Sequence, residues 1–234
     1  MRDTYKILIK AGVIFLIMAI IVLISHFVGL KNEIAKRENT DFGEYYCMKV
    51  KQFRYDNASI EPGSVDVAFI GDSLTDLCDL DKYYQPYNTV NRGIGGDTTD
   101  GVLNRLDSSA YALNPKVIVL LIGINNLGEM FNTYEEILKE LTKHLPNTKI
   151  IVLSLAPLGT GLKQMNETVE FQNKRLKALV EKFQLRYVDI YSALLNETTH
   201  AMYDKYTTDM LHFSDQGYQV ISSVVRPVIK ELLG

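Results

Sequence analysis

The chain has 234 residues, 47% of them apolar and 23% charged, and a net charge of -3. That is enough for one core-bearing domain plus a short extra segment. The mild acidity offers no footprint for nucleic acid, and two cysteines without a CxxC or His/Cys cluster offer no zinc pattern, so neither partner nor metal of that kind is expected.

Residues 1–10 form a basic segment, with Arg2, Lys6 and Lys10 against Asp3. Residues 11–30 then contain no Asp, Glu, Lys or Arg. As a helix, twenty such residues match the ~30 Å hydrocarbon core of a bilayer. Basic residues tie at three on each side of the span, with Lys31, Lys36 and Arg37 beyond it. Because the N-terminal group precedes the only span, a cytoplasmic N-terminus is expected. A cleaved signal peptide is the rival, but Ser25 to Leu30 offers a poor cleavage site. A buried core helix would rarely be apolar all round and also sit outside the main fold. The expectation is a single-pass, membrane-anchored protein: a signal anchor at 11–30, a charged linker at 31–40 and an extracytoplasmic domain at 41–234.

Asp41 to Asn57 repeats apolar positions at spacings of three and four, including Tyr46, Val50 and Phe53, which predicts a helix packed on the domain. Glu61-Pro62-Gly63-Ser64 is a turn. From there strands and helices alternate. Strands are predicted at Val65–Ile70, Thr89–Asn91, Lys116–Ile122, Lys149–Leu155 and Arg186–Ile190, and helices at Thr98–Ala112, Thr133–Leu145, Asn166–Phe183 and Asp215–Leu233. The third strand is a continuous β-branched run, as expected when both faces are covered. Ser214 suits the N-cap of the last helix. The pattern predicts an α/β fold: a three-layer, doubly wound sheet of about five parallel strands. Cys47 and Cys78 read as half-buried thiols, with a pairing between them left open.

Four short segments follow strands and so share the carboxyl rim, where open parallel sheets bind ligands. Gly71-Asp72-Ser73 is by itself an ordinary turn. At the end of a strand and the start of a helix, it makes Ser73 a nucleophile with a free N–H. Asp72 is expected to cap and brace that loop. Gly93-Ile94-Gly95-Gly96-Asp97 fits a dinucleotide loop poorly. It fits a tight turn that presents the Gly96 N–H, with Asn91 and Arg92 bracing it and Asp97 fixing the turn. In Gly123-Ile124-Asn125-Asn126, Asn125 either caps a turn or offers its amide to an oxyanion. Asp209 and His212, three residues apart, can place a carboxylate on Nδ1 and leave Nε2 facing Ser73. His26, His144 and His200 have no such partner at a motif position.

These residues resemble the SGNH (GDSL-type) hydrolases, whose four blocks fall here on Ser73, Gly96, Asn125 and His212, with Asp209 completing a triad. The resemblance covers roughly Val65 to Leu233. Asn91 to Thr99 and Pro115 to Asn126 look most like the platelet-activating-factor acetylhydrolase catalytic-subunit branch, from which the membrane segment departs. The resemblance implies a flavodoxin-like SGNH hydrolase fold and a serine esterase with catalytic Ser73, Asp209 and His212. It also implies an oxyanion hole of Ser73, Gly96 and Asn125. No cofactor is needed. The substrate is expected to be a short-acyl, acetyl-type ester of a small molecule, carbohydrate or envelope polymer. Lysophospholipase or thioesterase action on lipid acyl chains is the alternative. An idle ligand-binding domain is disfavoured by the filled site positions, and a nucleotide- or flavin-binding domain by a first loop too short and acidic for phosphate. Sequons occur at Asn57, Asn166 and Asn196.

Overall fold

A computed structural model of the chain describes Ile24 and residues 43–234. Contacts divide the chain into Met1–Cys47 and Met48–Gly234; the fold below is that of the second unit. The basic segment at 1–10, the anchor at 11–30 and the linker at 31–40 lie outside the described residues, Ile24 apart. Among the described residues no helix is long and apolar enough to cross a membrane.

Residues 43–57 are helical (α1), as the spacing of Tyr46, Val50 and Phe53 predicts. Five strands follow: β1 (Val67–Gly71), β2 (Thr89–Gly93), β3 (Val117–Leu121), β4 (Lys149–Leu153) and β5 (Arg186–Val188). Each lies within two residues of its predicted bounds. They form one parallel sheet in the order β2-β1-β3-β4-β5, the flavodoxin-like order that changes direction between β1 and β3. β1 and β3 are buried along their whole length, which is why they read as unbroken apolar runs.

Helices cover both faces. On one side Ala68, Ile70, Ile118 and Leu120 pack with α4 (Thr99–Asn104), α5 (Tyr134–His144) and α6 (Asn166–Lys182). On the other, Val67, Phe69, Val119 and Leu121 pack with α3 (Leu80–Tyr84) and α8 (Asp215–Leu233). Alternate strand residues thus feed two separate cores. α5 shows the logic in miniature: Ile137, Leu138 and Leu141 are fully buried while Glu136 and Lys139 pair outside. Each such buried side chain contributes about 1.5–3 kcal/mol.

The sequence pattern missed several short elements. α7 (Tyr191–Leu194) spans four residues, and β6 (Leu195–Asn196) with β7 (Ala201–Met202) make a small antiparallel pair; the helix expected to start at Ser73 is α2 (Ser73–Asp76). The helix predicted over Thr98–Ala112 is broken. α4 ends at Asn104, and Asp107–Tyr111 winds as a π-helix. Ser108 Oγ donates back to the Arg105 carbonyl, and Asn57 Nδ2 donates to the Ser108 carbonyl; such bonds compete with the α-helical ladder. Ser214 caps α8 by accepting from the Gly217 N–H. Cys47 and Cys78 are both free. Of the sequon asparagines, Asn57 is tied to Ser108 and Arg92, and Asn166 is buried between Leu158 and His200.

Candidate active site

Ser73 opens α2 directly beyond β1. The chain turns there because Gly71 leaves no room for a side chain: a Cβ would lie 2.2 Å from the Leu121 carbonyl oxygen. Asp72 is the N-cap and accepts from the Leu74 N–H at 3.0 Å. α2 begins at Ser73, and no acceptor takes the Ser73 N–H among the described residues. A first-turn N–H left open in this way is a donor for an anion.

His212 reaches Ser73 from the loop before α8. Its Nε2 lies 3.0 Å from Ser73 Oγ and its Nδ1 2.6 Å from Asp209 Oδ2. The other Asp209 oxygen accepts the backbone N–H groups of His212 and Leu211 at 2.7 and 3.1 Å. The His212 carbonyl in turn accepts from Thr207 Oγ1 and the Thr208 N–H. Met210, between the acid and the imidazole, has φ +78, and its carbonyl accepts the Gly159 N–H at 2.7 Å. The hydrogen bond from His212 lowers Asp209 to about 2. An ionised Asp209 can only accept, so Nδ1 carries the proton, and in the neutral imidazole that tautomer leaves Nε2 to accept from Ser73.

The second loop folds as the glycines suggest. The Asp97 N–H donates to the Ile94 carbonyl at 3.1 Å, closing a turn with Gly96 at φ +72, where glycine is the favoured residue. The Gly96 N–H has no acceptor among the described residues. Gly93 passes so close to α2 that a Cβ would sit 2.1 Å from the Asp76 nitrogen. Asn91 braces this corner: its Nδ2 donates to the carbonyls of Thr75, Asp76 and Cys78, and its Oδ1 accepts the Gly93 N–H. Asn125, beyond β3, donates one amide hydrogen to the Asp97 carbonyl at 2.8 Å. That bond orients the amide and leaves its second hydrogen for another acceptor.

Over residues 69–220 the chain matches the GDSL-like Lipase/Acylhydrolase family. It belongs to that family. The platelet-activating factor acetylhydrolase IB subunit alpha2 of Gallus gallus is 33% identical over 184 residues, covering 72% of this chain and 77% of that protein. A solved Streptococcus pneumonia structure, provisionally described as a platelet activating factor, superposes with TM-score 0.76 at 26% identity, over 83% of this chain and 97% of that one. The acetylxylan esterase Axe2 of Geobacillus stearothermophilus shares the fold, with TM-score 0.58 and 21% identity over 72% and 95% of the two chains. The protein is therefore an acylhydrolase, an enzyme that cleaves ester bonds.

Two features of this acylhydrolase site escape a reading of the sequence. Asp72 is 1% exposed, and its Oδ2 has no hydrogen-bond partner. Burial drives its carboxyl up to about 7, against the Leu74 N–H that pulls it down. The neighbouring Asp97 charge adds to the rise, while His212 and Arg105 oppose it. Second, Arg105 is fully buried behind the glycine loop. It donates to Asp97 Oδ2, to the Arg92 and Gly71 carbonyls, and to Ser109 Oγ, all within 2.9 Å. Inside a helical stretch an arginine ordinarily reads as a solvent-facing residue, and Asp97 eight residues earlier is the only hint of a partner. Among the described residues no cluster of three metal-ligating side chains occurs.

Proposed function

We propose that this acylhydrolase works through an acyl-enzyme formed on Ser73. Neutral His212 takes the Ser73 hydroxyl proton through Nε2 as Oγ attacks the ester carbonyl. Asp209 holds the imidazole by Nδ1 and stabilises the imidazolium that results. The tetrahedral oxyanion is received by the N–H groups of Ser73 and Gly96 and the free hydrogen of the Asn125 amide. His212 then protonates the departing alcohol and activates a water that releases the acid. The observation that carries this reading is the pair of contacts on one ring, 3.0 Å to Ser73 and 2.6 Å to Asp209.

The proposed substrate is a short-acyl, acetyl-type ester carried on a carbohydrate or envelope polymer. Relatives named acetylhydrolases support the acetyl group. The site's setting supports a bulky carrier: Asn125 and Asp209 are exposed on the rim, so a pendant acetyl can reach Ser73 while the polymer stays in solvent. Residues 11–30, apolar but for Ser25 and His26 and without Asp, Glu, Lys or Arg, are proposed as a retained anchor that holds the domain outside the cytoplasm, with N-terminus inside.

A fluorophosphonate probe should label the wild-type protein and fail on Ser73→Ala; equal labelling would overturn the nucleophile. A p-nitrophenyl ester series from acetyl to palmitoyl tests the substrate. Highest kcat/KM on acetyl supports the short-acyl reading, and a rise with chain length replaces it with the lipid reading. Protease accessibility of the domain in intact cells tests the topology, and protection in intact but not opened cells would refute it.

A further inference from the structure

Arg105 poses a physical question. Burying a guanidinium is costly, and a packed apolar residue often stabilises a fold as well as a buried ion pair does. A structural anchor for α4 therefore needs no arginine at this position. What Arg105 holds suggests a different reason. Apart from Ser109 one turn on, every acceptor it meets belongs to the strand ends and the glycine loop that build the site. The Gly71 carbonyl lies two residues before Ser73, the Arg92 carbonyl opens the glycine loop, and the Asp97 carboxylate closes it.

Asp97 passes that constraint on in two directions. Its N–H closes the turn that sets Gly96 at φ +72. Its carbonyl takes one hydrogen of the Asn125 amide at 2.8 Å. A shift of Asp97 would therefore move the Gly96 N–H and the Asn125 amide together. Phe53 of α1 closes over this cluster, its ring 4.8 Å from the Arg92 guanidinium and 5.8 Å from that of Arg105. Asp97 and Arg105 are each 1% exposed, so water has little access to replace a lost contact.

We propose that Arg105 is a positioning residue for catalysis: through Asp97 it registers the Gly96 and Asn125 donors against the Ser73 loop. The inference rests on the oxyanion hole proposed above. Only the planar fork of arginine can meet acceptors on separate strand ends at once; a lysine ammonium is a single point charge on a flexible stem. Oxyanion donors act on the transition state, so misplacing them lowers kcat and leaves KM nearly unchanged.

The experiment is a double-mutant cycle on p-nitrophenyl acetate with the full chain, comparing Arg105→Lys, Asn125→Ala and the double variant. Arg105→Lys is expected to lower kcat at least thirtyfold with KM within threefold, while circular dichroism and a cooperative melt show a folded protein. In the Asn125→Ala background the same substitution should cost at least threefold less than in wild type. An unchanged kcat, or an identical loss in both backgrounds, overturns the proposal. If Arg105→Lys does not fold, Asp97→Asn replaces it, keeping size and hydrogen bonding while breaking the ion pair. It is expected to lower kcat about tenfold, and a wild-type kcat in folded Asp97→Asn overturns the proposal. Ser73→Ala and single Asn125→Ala run beside these. An active Ser73→Ala or an unimpaired Asn125→Ala refutes the underlying mechanism; normal behaviour of both controls with an active Arg105→Lys refutes only the relay.

Discussion

Asn125→Ala separates catalysis from stability more cleanly than any other change at this site. The side chain donates one hydrogen to the Asp97 carbonyl at 2.8 Å and is otherwise exposed. Removing it costs the fold at most one hydrogen bond, about 0.5–1.5 kcal/mol, and the low end applies because water can reach the position. In a domain of this size, 1 kcal/mol moves the melting temperature by about 2–4 °C. If the second hydrogen meets the oxyanion, the transition state loses about 2.7–4 kcal/mol. At about 1.4 kcal/mol per tenfold, that is a fall of about 10²–10³ in kcat. The assay is steady-state hydrolysis of p-nitrophenyl acetate beside a thermal melt of the same preparation. The expected result is a large fall in kcat, KM within a few-fold of wild type, and a melting temperature lowered by no more than a few degrees. A kcat within threefold of wild type would remove Asn125 from the oxyanion hole, and a melt lowered by ten degrees or more would make it a structural residue.

Asp72 should make the fold less stable as pH rises. With the carboxyl at about 7 in the folded chain and near 3.8 unfolded, the folded state binds more protons between those values, so stability falls across that window. The difference corresponds to about 4 kcal/mol at most. Asp72→Asn keeps an acceptor for the Leu74 N–H and should flatten the decline between pH 4 and 7, read by urea unfolding; an unchanged slope would refute the buried-acid account. Asp209 has the opposite sign. Its carboxyl is lowered to about 2 by His212, so its contribution is present above pH 4 and is lost as pH falls through 2. Asp209→Asn should remove that acid-side loss and lower kcat by about 10³–10⁴ through the wrong imidazole tautomer, checked by pH-dependent melts and steady-state kinetics. Gly159→Ala should disturb the histidine loop, because its Cβ would sit 2.8 Å from the Met210 Cα. A tenfold or greater loss of kcat with a retained cooperative melt is expected, and a wild-type rate would show that the loop gives way freely.

The strands were legible because burial on both faces forces an unbroken apolar run. Val117 to Leu121 is the clearest case, with every residue buried. Strand ends then brought the candidate residues together, since the loops after β1, β2 and β3 must leave the sheet on one rim. Asn91, expected as a brace, bonds the carbonyls of Thr75, Asp76 and Cys78 and the Gly93 N–H. The interrupted helix after Thr98 was not legible. Its apolar spacing is helical, and the break comes from Ser108 and Asn57 bonding to backbone, one of them 51 residues away in sequence. Arg105 was hidden for the same reason: apart from Ser109, its acceptors lie at the end of β1 and along the loop from Arg92 to Asp97, which meet only in the folded sheet. Asn166 opens α6 at its predicted start, but its burial and the amide that spans Leu158 and His200 left no trace in the sequence. A side chain whose meaning lies in distant backbone groups leaves no local pattern.

The two halves of the site are held by opposite means. On the side of the proposed oxyanion hole, the support behind the donors is dry, a buried Arg105–Asp97 pair beneath the Phe53 ring, while Asn125 itself stays exposed. On the histidine side, the Asp209 side chain is 52% exposed, and the loop holds itself through the N–H groups that Asp209 accepts and the threonines that bond the His212 carbonyl. This division suits acyl transfer. The oxyanion donors must not reorganise as charge develops, since reorganisation is the cost that preorganised dipoles avoid. In the proposed mechanism His212 passes a proton from Ser73 to the leaving alcohol and then accepts one from water, which calls for surroundings that admit solvent and substrate in turn. A dry, ion-paired support behind the proposed donors, beside a self-capped histidine loop open to solvent, meets both demands of that mechanism on one strand rim.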